Sequence, residues 1–286
     1  MDARDLYYEL HKCIYGRVNV MTRQLSENGQ MIVIYDDHRW LLNVLFYLHK
    51  LGEHLDLIYF DAQDDAAQCG KKSDLLKDIG APDLNSATAK QFGSFVDYDQ
   101  RIDDGGWLTS ALELNLIGDV LNIGNRHSDN IAHMNGVYSS EDGITHNVFQ
   151  LSKDLEYEFD CRGQLGDTCR EDECRKLRDF FGIEHYLGSH DRVKIANPFV
   201  LDFDLDFFTI SPADDSTHGW TPKILKKYFP GNSRQDVFLR YLISNSKVIT
   251  ICREPDYCGS LGDSNQILHM LDLHYFGGCI GTDTTL

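Results

Sequence analysis

The sequence lacks any C-x-x-C pair. Its eight cysteines, Cys13, Cys69, Cys161, Cys169, Cys174, Cys252, Cys258 and Cys279, are scattered, which excludes a zinc ribbon and a thioredoxin-type motif. Free thiols in a reducing compartment are the expectation, and the spacing of Cys161, Cys169 and Cys174 is irregular for a metal or redox site. No run of about eighteen apolar residues is present to span a membrane, and Met1-Asp-Ala-Arg-Asp carries no apolar signal region. A cytoplasmic protein is expected. Basic residues are few: Lys plus Arg is 27 against 45 Asp plus Glu, a formal charge of −18. This argues against a nucleic-acid backbone or an anionic membrane as partner and favours a cationic one. No internal repeat or low-complexity segment interrupts the chain.

The 286 residues suit one large α/β domain. Residues 1–30 are polar and mixed, with an amphipathic segment at Leu6 to Ile14, and read as an N-terminal extension packed on the main fold. Residues 31–286 read as one domain. Strands are expected at Met31 to Tyr35, Leu55 to Phe60, Asp119 to Ile123, Thr145 to Leu151, Leu155 to Phe159 and Lys247 to Cys252. Helices are expected at Arg39 to Leu51, stopped by Gly52, at Lys71 to Phe95 with a break near Gly80 and Pro82, and at Trp107 to Leu116. Further helices are expected at Glu171 to Phe181, Thr221 to Tyr228, Gln235 to Ser244 and Ser264 to Tyr275. Apolar strands alternating with helices predict an α/β domain on a mainly parallel sheet.

The informative stretch is Val200-Leu-Asp-Phe-Asp-Leu-Asp-Phe-Phe208. If it is extended throughout, Asp202, Asp204 and Asp206 point to one face. A buried row of carboxylates costs several kcal/mol per ion without a counter-charge, so oxygen ligands to Mn²⁺, Mg²⁺ or Ca²⁺ are the economical explanation. Other strands also end in polar groups: Asp36-Asp37-His38, Asp61-Ala-Gln-Asp-Asp65, Asn125-Arg126-His127 and Arg253-Glu254. In open α/β sheets ligands bind at the carboxyl ends of strands, so these groups can converge. A calcium loop counted from Asp202 would need Gly and Glu where Phe207 and Ala213 stand, which rejects it. A haloacid-dehalogenase-type phosphatase would carry its Asp-x-Asp early in the chain.

The order His38, Asp61-Ala-Gln-Asp-Asp65, Asp-x-Asp and Glu254 resembles the binuclear manganese ureohydrolases, the arginase and agmatinase superfamily. Within it, Asp36-Asp37-His38, Asp103-Asp104-Gly105-Gly106-Trp107, Asp202-Phe-Asp-Leu-Asp206 and Thr250-Ile-Cys-Arg-Glu-Pro-Asp-Tyr257 resemble the peptide arginases, which convert arginine to ornithine within precursor peptides. The resemblance covers Met31 to about Tyr257. It implies a three-layer ureohydrolase-like fold with two Mn²⁺ per chain, held by His38, Asp61, Asp65, Asp204 and Asp206, with Asp202 as a further ligand or a carboxylate behind the ligands. Three alternating acids leave two registers open, Asp202 with Asp204 or Asp204 with Asp206. Gln63 stands where the family places a second imidazole, and a neutral amide oxygen is a poorer Mn²⁺ donor. Glu254 takes the role of pairing with and orienting the guanidinium. His127 is the candidate proton shuttle, with the Asp104-to-Trp107 segment as the alternative counterpart of that region.

The activity implied is hydrolysis of arginine side chains in a precursor peptide to ornithine and urea. A free-arginine or agmatine-type ureohydrolase and a non-catalytic acidic peptide-binding descendant are the alternatives. Assembly into a homo-oligomer stays open.

Overall fold

The computed structural model describes residues 19–23, 30–99, 105–124, 131, 134, 136–152, 197–210, 218–228, 231 and 234–280. The expected elements at Leu6 to Ile14, Leu155 to Phe159 and Glu171 to Phe181 lie outside these residues, as do Asp103, Asp104, Asn125, Arg126 and His127.

The strands are β1 (Asn19–Arg23), β2 (Gln30–Tyr35), β3 (Asp56–Phe60), β4 (Val120–Gly124), β5 (Val137–Ser139), β6 (Thr145–Ser152), β7 (Phe199–Asp204), β8 (Thr209–Ile210), β9 (His218–Gly219) and β10 (Val248–Cys252). The α-helices are α1 (Leu41–Lys50), α2 (Lys72–Ile79), α3 (Ala89–Tyr98), α4 (Trp107–Glu113), α5 (Pro222–Tyr228), α6 (Arg234–Asn245) and α7 (Leu261–Leu271). Eight strands form one sheet in the order β1-β2-β10-β7-β3-β4-β6-β5, while β8 and β9 pair separately. The six inner strands run parallel, and β1 and β5 close the edges antiparallel.

Strand periodicity divides the core into two layers. Val33, Leu57, Val120, Val200 and Val248 face one side, against Leu41, Leu45, Leu75, Phe92 and Trp107 from α1 to α4. Ile34, Ile58, Leu121, Leu201 and Ile249 face the other, against Leu225, Leu239, Leu242 and Ile267 from α5 to α7. The expected three-layer α/β arrangement on a mainly parallel sheet is therefore present.

Three local departures matter. The expected Lys71 to Phe95 helix is two helices: Gly80 ends α2 in the left-handed region at φ 76°, and Thr88 with Gln91 makes a capping box that starts α3. Asn19–Arg23 forms an edge strand paired with β2 where the polar sequence suggested no element. The Asp-rich run is extended only to Asp204. Leu205–Phe208 is a 3₁₀ turn, capped by the Asp204 carboxylate accepting from the Asp206 backbone N–H at 3.0 Å, so Asp206 owes its position to that turn and not to strand alternation.

Candidate metal centre

Topology assembles the site. From β2 the chain passes through α1 to β3, three places along the sheet, and β10 and β7 fill the gap between them. The carboxyl ends of four adjacent strands thereby deliver His38, Asp61 with Asp65, Asp204 with Asp206, and Glu254 to one region.

His38 opens a 3₁₀ turn whose N-cap is Asp37, the carboxylate accepting from the Arg39 N–H at 3.2 Å. Its ring is 2% exposed. Around His38 Nδ1 stand Asp65 Oδ2 at 2.9 Å, Asp204 Oδ2 at 3.1 Å and Asp61 Oδ2 at 3.3 Å. On the far side of the ring, Nε2 faces Asp202 Oδ2 at 2.8 Å. Trp107 covers the imidazole, ring centroids 4.5 Å apart, and its Nε1–H donates to Asp65 Oδ2.

Asp65 sits at φ 48°, a left-handed conformation that costs a non-glycine residue energy and persists only when its surroundings hold it. Gly105 supplies that hold. Its carbonyl accepts from the Ala67 N–H at 3.1 Å, the Asp65 carbonyl accepts from the Leu108 N–H at 3.2 Å, and a Cβ on Gly105 would come within 3.3 Å of Asp65 Oδ1. The Gly-Gly-Trp segment thus clasps the Asp61-to-Asp65 loop. Tyr59 fixes the loop from below, its hydroxyl donating to the Asp64 carbonyl at 2.7 Å. Asp61 Oδ1 accepts from the Gln63 N–H at 2.7 Å, and Asp206 Oδ1 accepts from the Ala62 N–H at 3.1 Å.

These residues form three overlapping groups whose ligand atoms lie within 4.8 Å of one another: His38, Asp61 and Asp65; His38, Asp204 and Glu254; and Asp61, Asp204 and Asp206. Asp202 belongs to none of them. Gln63 is exposed and lines the opening above the cluster.

Electrostatics show what the cluster wants. Burial, then the neighbouring charges of Asp65 and Asp206, push the Asp61 carboxyl well above its ordinary pKa; burial, then Asp206 and Glu254, do the same to Asp204. Glu254 is raised by burial to about 8, with Asp65 and Asp206 adding to the shift against the opposing pull of His38. For His38, burial alone would lower the pKa, but the charge of Asp202 and its hydrogen bond outweigh it and carry the imidazole well above its ordinary value. The cluster crowds carboxyl groups that only bound protons or a cation can neutralise.

Two atoms decide whether a cation fits. His38 Nδ1 and Asp61 Oδ2 are buried and have no hydrogen-bond partner, although oxygens from three carboxylates approach the ring nitrogen. Neighbouring ligands of an octahedral cation with bonds of about 2.1 Å stand about 3 Å apart, the spacing found around Nδ1. One imidazole with several carboxylates suits a divalent ion such as Mn²⁺.

The cluster floors an open cleft of about 540 Å³ lined by Asp36, Asp37, Arg39, Gln63, Trp107, Glu254, Asp256 and Tyr257, among others. Arg39 pairs with Asp37 at 2.8 Å and Arg253 with Asp36 at 2.5 Å. Glu254 occupies a left-handed turn at φ 32°, and its Oε1 accepts from the His38 backbone N–H at 3.3 Å. Sequence reasoning gave no site role to Tyr35, Thr250 or Gly124, because each acts through a contact across strands. Among the described residues no helix is long and apolar enough to cross a membrane.

The sequence matches no family model and no curated protein. Among solved structures, the chain is similar to formimidoylglutamase from Bacillus subtilis subsp. subtilis str. 168, at 12% identity and a TM-score of 0.44, over 86% of this chain and 60% of that one. It is similar to proclavaminate amidino hydrolase from Streptomyces clavuligerus at 12% identity and 0.46, over 86% and 62%. Against Helicobacter pylori arginase the values are 14% and 0.40, over 85% and 72%. The chain therefore spans about 60% of the length of the first two.

Proposed function

We propose that this protein is a metal-dependent hydrolase that converts arginine side chains in a peptide to ornithine and urea. The observation that carries the reading is the convergence on His38 Nδ1 of oxygens from Asp65, Asp204 and Asp61 at 2.9 to 3.3 Å, at the foot of a cleft whose wall carries Glu254. His38, Asp61, Asp65 and Asp204 would hold one Mn²⁺, and Asp61, Asp204 and Asp206 a second. When bound, such ions supply Lewis acidity and a hydroxide nucleophile at neutral pH.

The chain's own residues do the rest. Glu254 offers an anion to the guanidinium and orients its carbon toward the metal centre; the cation in turn favours the ionised form that burial disfavours. Tyr257, exposed at the cleft, gives it an aromatic face over which a guanidinium can lie. Asp36 and Asp37 are paired with Arg253 and Arg39, so the charge that draws in a cationic substrate is that of Glu254 and Asp256. His127 is proposed as the group that protonates the leaving amine; it belongs to the segment after β4.

Preference for arginine within a peptide over the free amino acid has its own support. The cleft-lining cation Arg39 is engaged by Asp37, and nearby Arg253 by Asp36, so neither is a ready partner for the α-carboxylate of free arginine. A peptide carbonyl, or an amine as in agmatine, needs no such partner.

The test is incubation with Mn²⁺ and arginine-containing peptides, read by mass spectrometry and a urea assay, with Asp204→Ala as control. Ornithine in the peptide with urea released, and neither with the control, is the expected result. Inert peptides together with inert free arginine and agmatine would overturn the reaction class. Tight peptide binding without metal uptake or urea would instead identify a non-catalytic binding protein.

A further inference from the structure

The three acids of the Asp-rich run are not equivalent. Asp202 is fully buried, and both of its oxygens are occupied by donors. Oδ1 accepts from the Tyr35 hydroxyl at 2.7 Å and from the Thr250 hydroxyl at 2.5 Å, while Oδ2 faces His38 Nε2 at 2.8 Å. With two hydroxyls donating to Oδ1, Oδ2 is placed to accept the ring N–H of Nε2, which leaves Nδ1 as the ring atom that would offer its lone pair to a cation among Asp61, Asp65 and Asp204. The sheet dictates the arrangement: Thr250 is the register partner of Asp202 in the adjoining strand β10, and Tyr35 ends β2 on the other side of β10.

We infer that Asp202 is a positioning residue, the carboxylate of a carboxylate–histidine–metal relay, and that the hydroxyls of Tyr35 and Thr250 lock it in place. This rests on the metal-centre reading above and extends it to residues that touch neither ion nor substrate. A carboxylate behind a ligating histidine fixes its tautomer and ring orientation and raises its basicity, and loss of such a partner typically weakens metal binding about 10–100-fold. Burial strengthens the case. Asp202 has no water to turn to, so its three donors define its orientation.

Both roles of the network can be read without turnover. Mn²⁺ binding to the metal-free full chain is measured by titration calorimetry for wild type, Asp202→Asn and the double variant Tyr35→Phe with Thr250→Val, with folding checked by circular dichroism. In parallel, the His38 Nε2–H resonance is followed in ¹⁵N-histidine-labelled metal-free protein. Expected are a protected Nε2–H signal in wild type that is lost in Asp202→Asn, Mn²⁺ binding about 10–100-fold weaker in that variant, and a smaller loss in the double variant, which keeps the carboxylate. Should Asp202→Asn fail to fold, the double variant carries the test, and unchanged Mn²⁺ affinity in it overturns the inference. Equal affinity and an intact Nε2–H signal in Asp202→Asn overturn the positioning role while leaving the metal centre standing. Absence of Mn²⁺ uptake by wild type would overturn the metal-centre reading and this inference with it.

Discussion

Removing metal should invert the usual pH dependence of stability. The groups to consider are His38, Asp61, Asp204 and Glu254, all with pKa values raised in the folded protein. A raised folded pKa means that the native state binds more protons than the unfolded state, so the contribution is complete below the unfolded pKa and is lost as pH rises through the folded one. For Glu254 that window runs from the ordinary value of 4.5 to about 8. Below about pH 6.5 the opposite effect of His49 and His146, whose pKa values burial lowers, complicates the slope. Between pH 6.5 and 8 those two give up the protons that remain in the unfolded state, so their opposing effect fades and the cluster dominates. One excess proton in the native state corresponds to about 1.4 kcal/mol per pH unit, so Glu254 alone gives about 2 kcal/mol over this interval, and the other three groups add to it. At about 2 °C per kcal/mol for a domain of this size, metal-free protein should lose about 4 °C or more in melting temperature from pH 6.5 to 8. The assay is thermal unfolding after chelation, in matched ionic strength. With Mn²⁺ restored, ligand protons are released and the stabilisation by metal should grow with pH. A melting temperature for chelated protein that is flat or rising over this interval would refute the reasoning.

Other outcomes follow from single contacts. Glu254→Gln should retain Mn²⁺ binding and lose at least about 100-fold in kcat/KM on an arginine peptide; metal loss in a calorimetric titration would contradict its role. In Gly124→Ala, the new Cβ would lie 2.1 Å from the Asp61 backbone oxygen, so we expect about 1–3 kcal/mol of destabilisation in chemical denaturation, with weakened Mn²⁺ binding as Asp61 shifts. Trp107→Phe keeps a ring over His38 but loses the indole donor to Asp65, and Mn²⁺ affinity measured by calorimetry should fall about 10-fold or more.

How far the chain could be read from its residues follows from the range of each interaction. The inner strands were legible because Ile32, Ile58, Leu121, Leu201 and Ile249 are buried on one face and their neighbours on the other, giving nearly continuous apolar runs. Strand β1 was not, because an edge strand needs a partner more than an apolar sequence. The candidate ligands were legible as types at strand ends. The division of labour within Asp202, Asp204 and Asp206 was not, because two-residue alternation predicts a common face while the chain leaves the extended conformation after Asp204. What separates Asp202 from the others is a set of partners 48 to 167 residues away, invisible to any local pattern. The strained Asp65 and its Gly105 clasp are likewise a contact between loops that sequence spacing does not encode.

The insertion of β7 and β10 between β2 and β3 governs when the centre can come into being. His38 and Asp61 are synthesised early, yet the wedge that sets their distance arrives only with residues 199–204 and 248–252. Until those strands dock, no half of the chain holds more than a fragment of the ligand set. The anionic cluster is therefore assembled late, by pairings of long sequence separation that close slowly, and Mn²⁺ added to a refolding chain should act as a latch on the completed sheet and not as a seed for it.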